Sequence, residues 1–310
     1  MPQRHALVLA IAAALAAPAQ LGAQARPQAP VFGTGIEIIN ITLSVTDARS
    51  NFVTDLLQRD FAVFEDGIRQ ELSLFTHEDL PISMVLLIDT SASMEEKIKN
   101  AQDAAVRFTK TLRPQDLAQV VQFNERATPL QTFTNDLALL ERAIRATEAS
   151  GPTALHNALY VALKDLSRDK KVAELRRRAI IILSDGEDTA SLVTDDQVLE
   201  LAKKSEINIY VISLRPARAQ DRQRQAFSQA EYLFNALTRE TGGRAYFPAS
   251  IGELDSVYDR IAEELRTLYN VGYVSANPRR DGKWRRIVVR VPDREGMQIR
   301  HKLGYYAPPG

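Results

Sequence analysis

Asp89, Ser91 and Ser93 alternate within the stretch Asp89-Thr90-Ser91-Ala92-Ser93, directly after the aliphatic run Met84-Val85-Leu86-Leu87-Ile88. Two later stretches add to them. Thr153 stands in the tight turn Gly151-Pro152-Thr153 ahead of a helical pattern, and Asp185 follows the second apolar run, Ala179–Ser184. All five side chains carry oxygen, and none is His or Cys. Hard divalent cations take oxygen ligands, and Mg²⁺ keeps several of its waters. Hydroxyls bind such an ion with little charge donation, while two carboxylates compensate it through bridging waters. The ion stays electrophilic and keeps room for an outside carboxylate. Asp89, Ser91, Ser93, Thr153 and Asp185 are therefore expected to hold Mg²⁺, with Mn²⁺ or Ca²⁺ as substitutes. The expected ligand is a protein or peptide that supplies an acidic residue. Helix capping would account for any one Ser, Thr or Asp alone. It does not account for five such residues at strand ends and upper loops.

The elements that must position these residues can be read from the apolar pattern. Continuous β-branched and aliphatic runs bounded by turn residues are the mark of parallel strands buried on both faces. Ligands of open α/β sheets sit beyond the carboxyl ends of such strands. Helices are expected at Glu95–Leu112, Asn135–Glu148 (capped by Asn135 or Thr134), Leu155–Leu166, Thr194–Ser205, Ala226–Thr241 and Ile251–Leu268. Strands are expected at Asp116–Phe123, Ile207–Leu214 and Arg244–Phe247, with Ala127–Phe133 as an edge because of Pro129. Arg176-Arg177-Arg178 reads as a solvated strand start, and Arg215–Arg224 as a charged loop. The alternation predicts a doubly wound, mostly parallel α/β sheet over residues 81–268.

On either side the pattern is β. Ile39, Ile41, Leu43 and Val45 alternate with polar residues, and Arg59–Glu65 and Ile68–Phe75 form a hairpin around Asp66-Gly67. Tyr269–Ser275, Trp284–Val291 and Met297–Leu303 read as strands. Neither segment alone has strands enough to bury a core. Residues 36–80 and 269–310 are therefore expected to form one small antiparallel β-sandwich with the α/β domain inserted.

The D-x-S-x-S stretch, the upper-loop Thr153 and the Ser184-Asp185-Gly186 turn resemble the von Willebrand factor type A domain and its metal-ion-dependent adhesion site. The resemblance implies that Ser91 and Ser93 touch the metal. It implies that Thr153 binds directly or through water, and that Asp89 and Asp185 act mostly through water. The Phe61–Gly67 and Asp281–Pro308 stretches resemble those of bacterial secreted proteins related to this domain. In the adhesion domains it resembles, axial movement of the last helix accompanies a change of metal geometry. Here that helix runs almost directly into Tyr269.

Composition bounds the remaining classes. Lys+Arg and Asp+Glu are both 39, a balance that argues against nucleic acid as a partner. With no cysteine, disulfides, thiolate metal sites and Cys nucleophiles are excluded. Residues 1–25 read as a secretory signal peptide with an apolar core too short to span a bilayer, and residues 26–35 as a flexible leader. The mature protein is expected to be secreted or periplasmic, without a membrane span, and not an enzyme. A Ser93/His156/Asp185 hydrolase lacks the G-x-S-x-G elbow. The other alternative is a scaffold with a vestigial metal site.

Overall fold

Ile82–Asp89 (β5) is buried at every position, which is possible only with helices on both faces. The computed structural model describes residues 37–78, 80–168, 176–214 and 229–310. Expectations for residues 1–25, for 26–35 and for the loop at 215–224 lie outside these. β5 lies at the centre of a six-stranded sheet with Leu117–Phe123 (β6), Ala127–Thr134 (β7), Arg177–Ser184 (β8), Asn208–Ser213 (β9) and Arg244–Tyr246 (β10). The order is β10-β9-β8-β5-β6-β7. β5 pairs in parallel with β6 and β8, β8 with β9, and β9 with β10, whereas β7 runs antiparallel at the edge. The β6–β7 register slips between Val120 and Val121, and Pro129, which has no N–H to donate, sits opposite Val121.

Alternation along the strands splits the core in two. Met84, Leu86 and Ile88 pack with Ile98–Thr109 (α1), Leu137–Arg145 (α2) and the later helix Leu254–Thr267. Val85 and Leu87 pack with Leu155–Arg168 (α3), Asp195–Lys204 (α4) and Gln229–Thr241 (α5) on the other face. Leu254–Thr267 is α6. Thr194 caps α4 through a reciprocal pair with Gln197. The cap of α2 is Asp136, whose carboxylate accepts from Ala138 and Leu139 N–H. Asn135 instead donates to the Pro114 carbonyl at 2.6 Å, which takes it out of the capping role expected of it.

The flanking segments pair with each other. Ile38–Thr46 (β1) lies between Tyr269–Val274 (β11) and Gln298–His301 (β13), and Leu72–Thr76 (β4) closes that sheet in the order β13-β1-β11-β4. The second sheet has the order β14-β12-β2-β3, from Gly304–Tyr306, Trp284–Arg290, Ala62–Glu65 and Ile68–Gln70. Ile41, Leu43, Tyr269 and Val271 of one sheet meet Val63, Ile287 and Val289 of the other. Because β4 pairs antiparallel with β11, opposing Thr76 to Asn270, the chain leaves and re-enters the sandwich at adjacent strands.

Two strand expectations need correction. The run Ile68–Phe75 is broken at Glu71: β3 stays in the second sheet while β4 crosses to the first, as strands do at a sandwich corner. The C-terminal strand β14 was not foreseen. At Gly304 an added Cβ would lie 2.3 Å from the Arg285 carbonyl, so glycine is what lets β14 approach β12. Arg177 also departs from a solvated strand start. It is 4% exposed and donates to the Leu265, Leu268 and Glu78 carbonyls, tying the sheet to the end of α6.

Candidate metal centre

The carboxyl ends of β5 and β8 carry Asp89 and, just past Ser184, Asp185. Asp89 is fully buried, and both its oxygens are held: Ser91 N–H donates to Oδ1 at 2.9 Å and Ser184 Oγ donates to Oδ2 at 2.5 Å. Burial pushes the Asp89 carboxyl up to about 6, against the hydrogen bonds from Ser184 and Ser91 and with the help of the Asp185 charge. A cation placed here would reverse that cost.

Ser91 opens the short turn Ala92–Met94, yet its side chain caps nothing. Its hydroxyl instead lies 3.0 Å from Ser93 Oγ. The capping explanation therefore fails for Ser91. Ser91 is buried and Ser93 exposed, so the pair spans the rim from inside to solvent.

Thr153 is brought to the same rim by backbone bonds. Ser150 N–H donates to the Thr90 carbonyl at 2.7 Å, and Ala92 N–H donates to Gly151 at 2.9 Å. Thr153 N–H donates to Thr189 Oγ1, while Thr189 and Ala190 N–H donate back to the Thr153 carbonyl. The loop is thus stitched to the β5 turn on one side and to the segment after Asp185 on the other. Asp185 is 6% exposed. Its Oδ2 accepts from Lys97 Nζ at 3.2 Å, and its Oδ1 is buried without any hydrogen-bond partner.

Asp89, Ser91, Ser93, Thr153 and Asp185 thus stand on adjoining turns at one edge of the sheet. Among the described residues, no group of three or more His, Cys, Asp or Glu side chains could cage a metal. A cation at this edge would therefore depend on the hydroxyls. The unsatisfied Asp185 oxygen and the paired serine hydroxyls suit a hard ion that keeps part of its water shell.

Several supporting residues were not singled out from sequence. Thr90, fully buried, donates through N–H and Oγ1 to the Phe123 carbonyl and fixes the turn to β6. Asp188 accepts from His156 and Ser191 N–H. Burial pushes its carboxyl up, but these bonds and that of the Ser191 hydroxyl outweigh it and hold it below the usual range. Lys97 had no signal beyond being one lysine on a helical approach. His156, which the sequence did bring forward in the hydrolase alternative, places Nδ1 3.2 Å from the Val193 carbonyl and 3.6 Å from Asp188, a loop-bracing position.

The family model for the von Willebrand factor type A domain matches residues 84–187, a span that contains all five residues. The α/β unit is a von Willebrand factor type A domain. Domains of this family are typically adhesion or protein-interaction modules. Inter alpha-trypsin inhibitor heavy chain 4 of Mus musculus is 28% identical over 172 residues, covering 48% of this chain and 18% of that protein. The chain therefore spans about a fifth of that relative's length. An aerotolerance-related membrane protein from Bacteroides fragilis superposes with a TM-score of 0.46 at 18% identity, covering 59% of this chain and 98% of the other. The vWF domain of the type V pili tip protein Mfa5 from Porphyromonas gingivalis gives 0.49 at 15% identity, covering 60% and 95%. Among the described residues no helix is long and apolar enough to cross a membrane.

Proposed function

We propose that this von Willebrand A domain is an extracytoplasmic, metal-dependent protein-binding module. Asp89, Ser91, Ser93, Thr153 and Asp185 would hold Mg²⁺ at the upper edge of the sheet. When bound, the ion supplies an electrophilic position that an acidic side chain of a partner can occupy. The chain's own residues do the rest. Asp89, fixed by Ser184 and the Ser91 N–H, contributes negative charge without needing to move. Ser91 and Ser93 present two oxygens 3.0 Å apart. The Thr153 backbone is clamped by Thr189 and Ala190.

The observation that carries this reading is Asp185 Oδ1, buried and without a partner beside that cluster. An unsatisfied buried carboxylate oxygen is costly unless something compensates it, and a hydrated divalent cation does so. In the same reading the protein is secreted or periplasmic, exported by the signal peptide expected at residues 1–25.

The test is capture of envelope proteins on the immobilised chain, in Mg²⁺ and in chelator, with Asp89→Ala as control. The reading expects an acidic-surface partner retained only by the wild type and only with Mg²⁺. Equal retention by Asp89→Ala, or in chelator, defeats it.

A further inference from the structure

The opposite end of the domain holds a second feature that the metal rim does not use. The strand starts at Arg177, Arg178 and Asn208 face the sheet β13-β1-β11-β4 across a cleft of about 210 Å³. β1 turns Ile39, Ile41 and Leu43 into the sandwich core, so Asn40 and Thr42 fall on the other face, toward the cleft. A sheet face packed against a domain would ordinarily be apolar. This one carries the amides of Asn40 and Asn270 and the Thr42 hydroxyl beside Leu74.

The charges are one-sided. The Arg177 guanidinium is buried, donates to the three carbonyls named above, and keeps its Nε without a partner. Among the described residues it makes no ion pair. Burial pulls its guanidinium down to about 10. Lys302, on the sandwich side, makes no ion pair or hydrogen bond through its ammonium among the described residues. Burial lowers it too, against a weaker pull from Glu206. Glu206, the acid at the exposed lip of the cleft, is already bonded to Arg178 at 3.0 Å. Thr42 donates to Asn270 Oδ1 at 2.9 Å, which fixes the amide and leaves its Nδ2 as an uncommitted donor. Among the described residues the cleft therefore offers Lys302 Nζ, Asn270 Nδ2 and the field of Arg177, while its acid, Glu206, is already paired with Arg178.

We propose that this cleft is a second ligand site, for a small anion bearing a carboxylate or phosphate group, bound by Lys302 and Asn270. A cation is repelled there, and a neutral solute leaves the ammonium uncompensated. The volume is below the ordinary range of about 300–1,000 Å³ for drug-sized ligands, so the anion has few heavy atoms. Lys302 and Asn270 belong to the sandwich, and Arg177 to the von Willebrand domain. An anion held between them would join the two parts at their base, far from the metal rim.

The experiment is thermal unfolding of the full chain, freed of divalent cations on a chelating resin. Chloride, inorganic phosphate and succinate are compared at matched ionic strength and pH. A ligand that binds only the folded chain raises Tm with its concentration and then follows its own saturation. We expect phosphate or succinate, at millimolar concentration, to raise Tm by about 2–4 °C above chloride. Which of the two acts decides between the phosphate and carboxylate classes. Lys302→Met and Asn270→Ala should each lose most of that rise. If Lys302→Met does not fold, Asn270→Ala carries the comparison. No rise over chloride in the wild type overturns the proposal. So does an undiminished rise in the variants, which would mark an unspecific salting effect.

Discussion

Replacing Lys97 by Met should tighten Mg²⁺ binding and, in the same protein, weaken the metal-free fold. Lys97 Nζ lies 3.2 Å from Asp185 Oδ2, with side-chain exposures of 19% and 7%. Exposed ion pairs are worth about 0.2–1 kcal/mol, and hydrogen bonds to buried charged groups about 1.5–3 kcal/mol. This pair lies between those limits, so about 1–2 kcal/mol is the appropriate figure. If the ion must displace the ammonium, removing Lys97 returns that amount to binding, or about 5–30-fold in Kd. If the ammonium stays beside the ion, its repulsion is removed instead, and the direction is the same. Without metal, Asp185 is left with both oxygens unpaired, so Lys97→Met loses a similar 1–2 kcal/mol of stability. Isothermal calorimetry with Mg²⁺ gives the first quantity and denaturant unfolding of resin-stripped protein gives the second. The two should be about equal and opposite, and the stabilities of variant and wild type should converge at saturating Mg²⁺. Unchanged or weaker Mg²⁺ binding by Lys97→Met would refute the reasoning.

Three further outcomes are expected. The Asp89 carboxyl is raised in the fold from 3.8 to about 6, so the folded state binds the extra proton between those values. Its contribution is therefore complete below the unfolded value and is lost as pH rises through the folded one. Metal-free wild type should lose about 1–3 kcal/mol relative to Asp89→Asn between pH 4 and 6 by denaturant unfolding, and Mg²⁺ should flatten the difference. Arg300→Met leaves the fully buried Glu264, which also accepts from Tyr210 OH at 2.9 Å, without its cation. Chemical denaturation should show a loss of about 3–5 kcal/mol. At Gly243 an added Cβ would meet the Ile209 carbonyl at 1.8 Å, so Gly243→Ala should cost about 3 kcal/mol or prevent folding, read from its melting curve.

The sheet was legible because burial on both faces forces strands such as Ile82–Asp89 to be apolar at nearly every position. The sandwich was legible at β1, where alternation is clear, and illegible at Glu71, where one polar residue carries the chain between sheets. β14 is three residues long and has no period to read. The five candidate metal residues could be singled out because hydroxyls and acids at strand ends form a local pattern. Lys97 and Arg177 could not. Their roles depend on distant partners, Asp185 in one case and the carbonyls closing α6 in the other, and no spacing in the chain encodes either. Arg177 also misled, since a run of three arginines reads as solvated unless carbonyls are waiting for the middle one.

The claim on which the rest depends is that one hard cation sits among these five oxygen-bearing side chains. Anomalous diffraction from crystals soaked in Mn²⁺ tests it directly. The account predicts one strong peak within about 2.0–2.4 Å of both Ser91 Oγ and Ser93 Oγ, absent from crystals of Ser91→Ala. A peak elsewhere, or none at that rim with Mn²⁺ in excess, would contradict it.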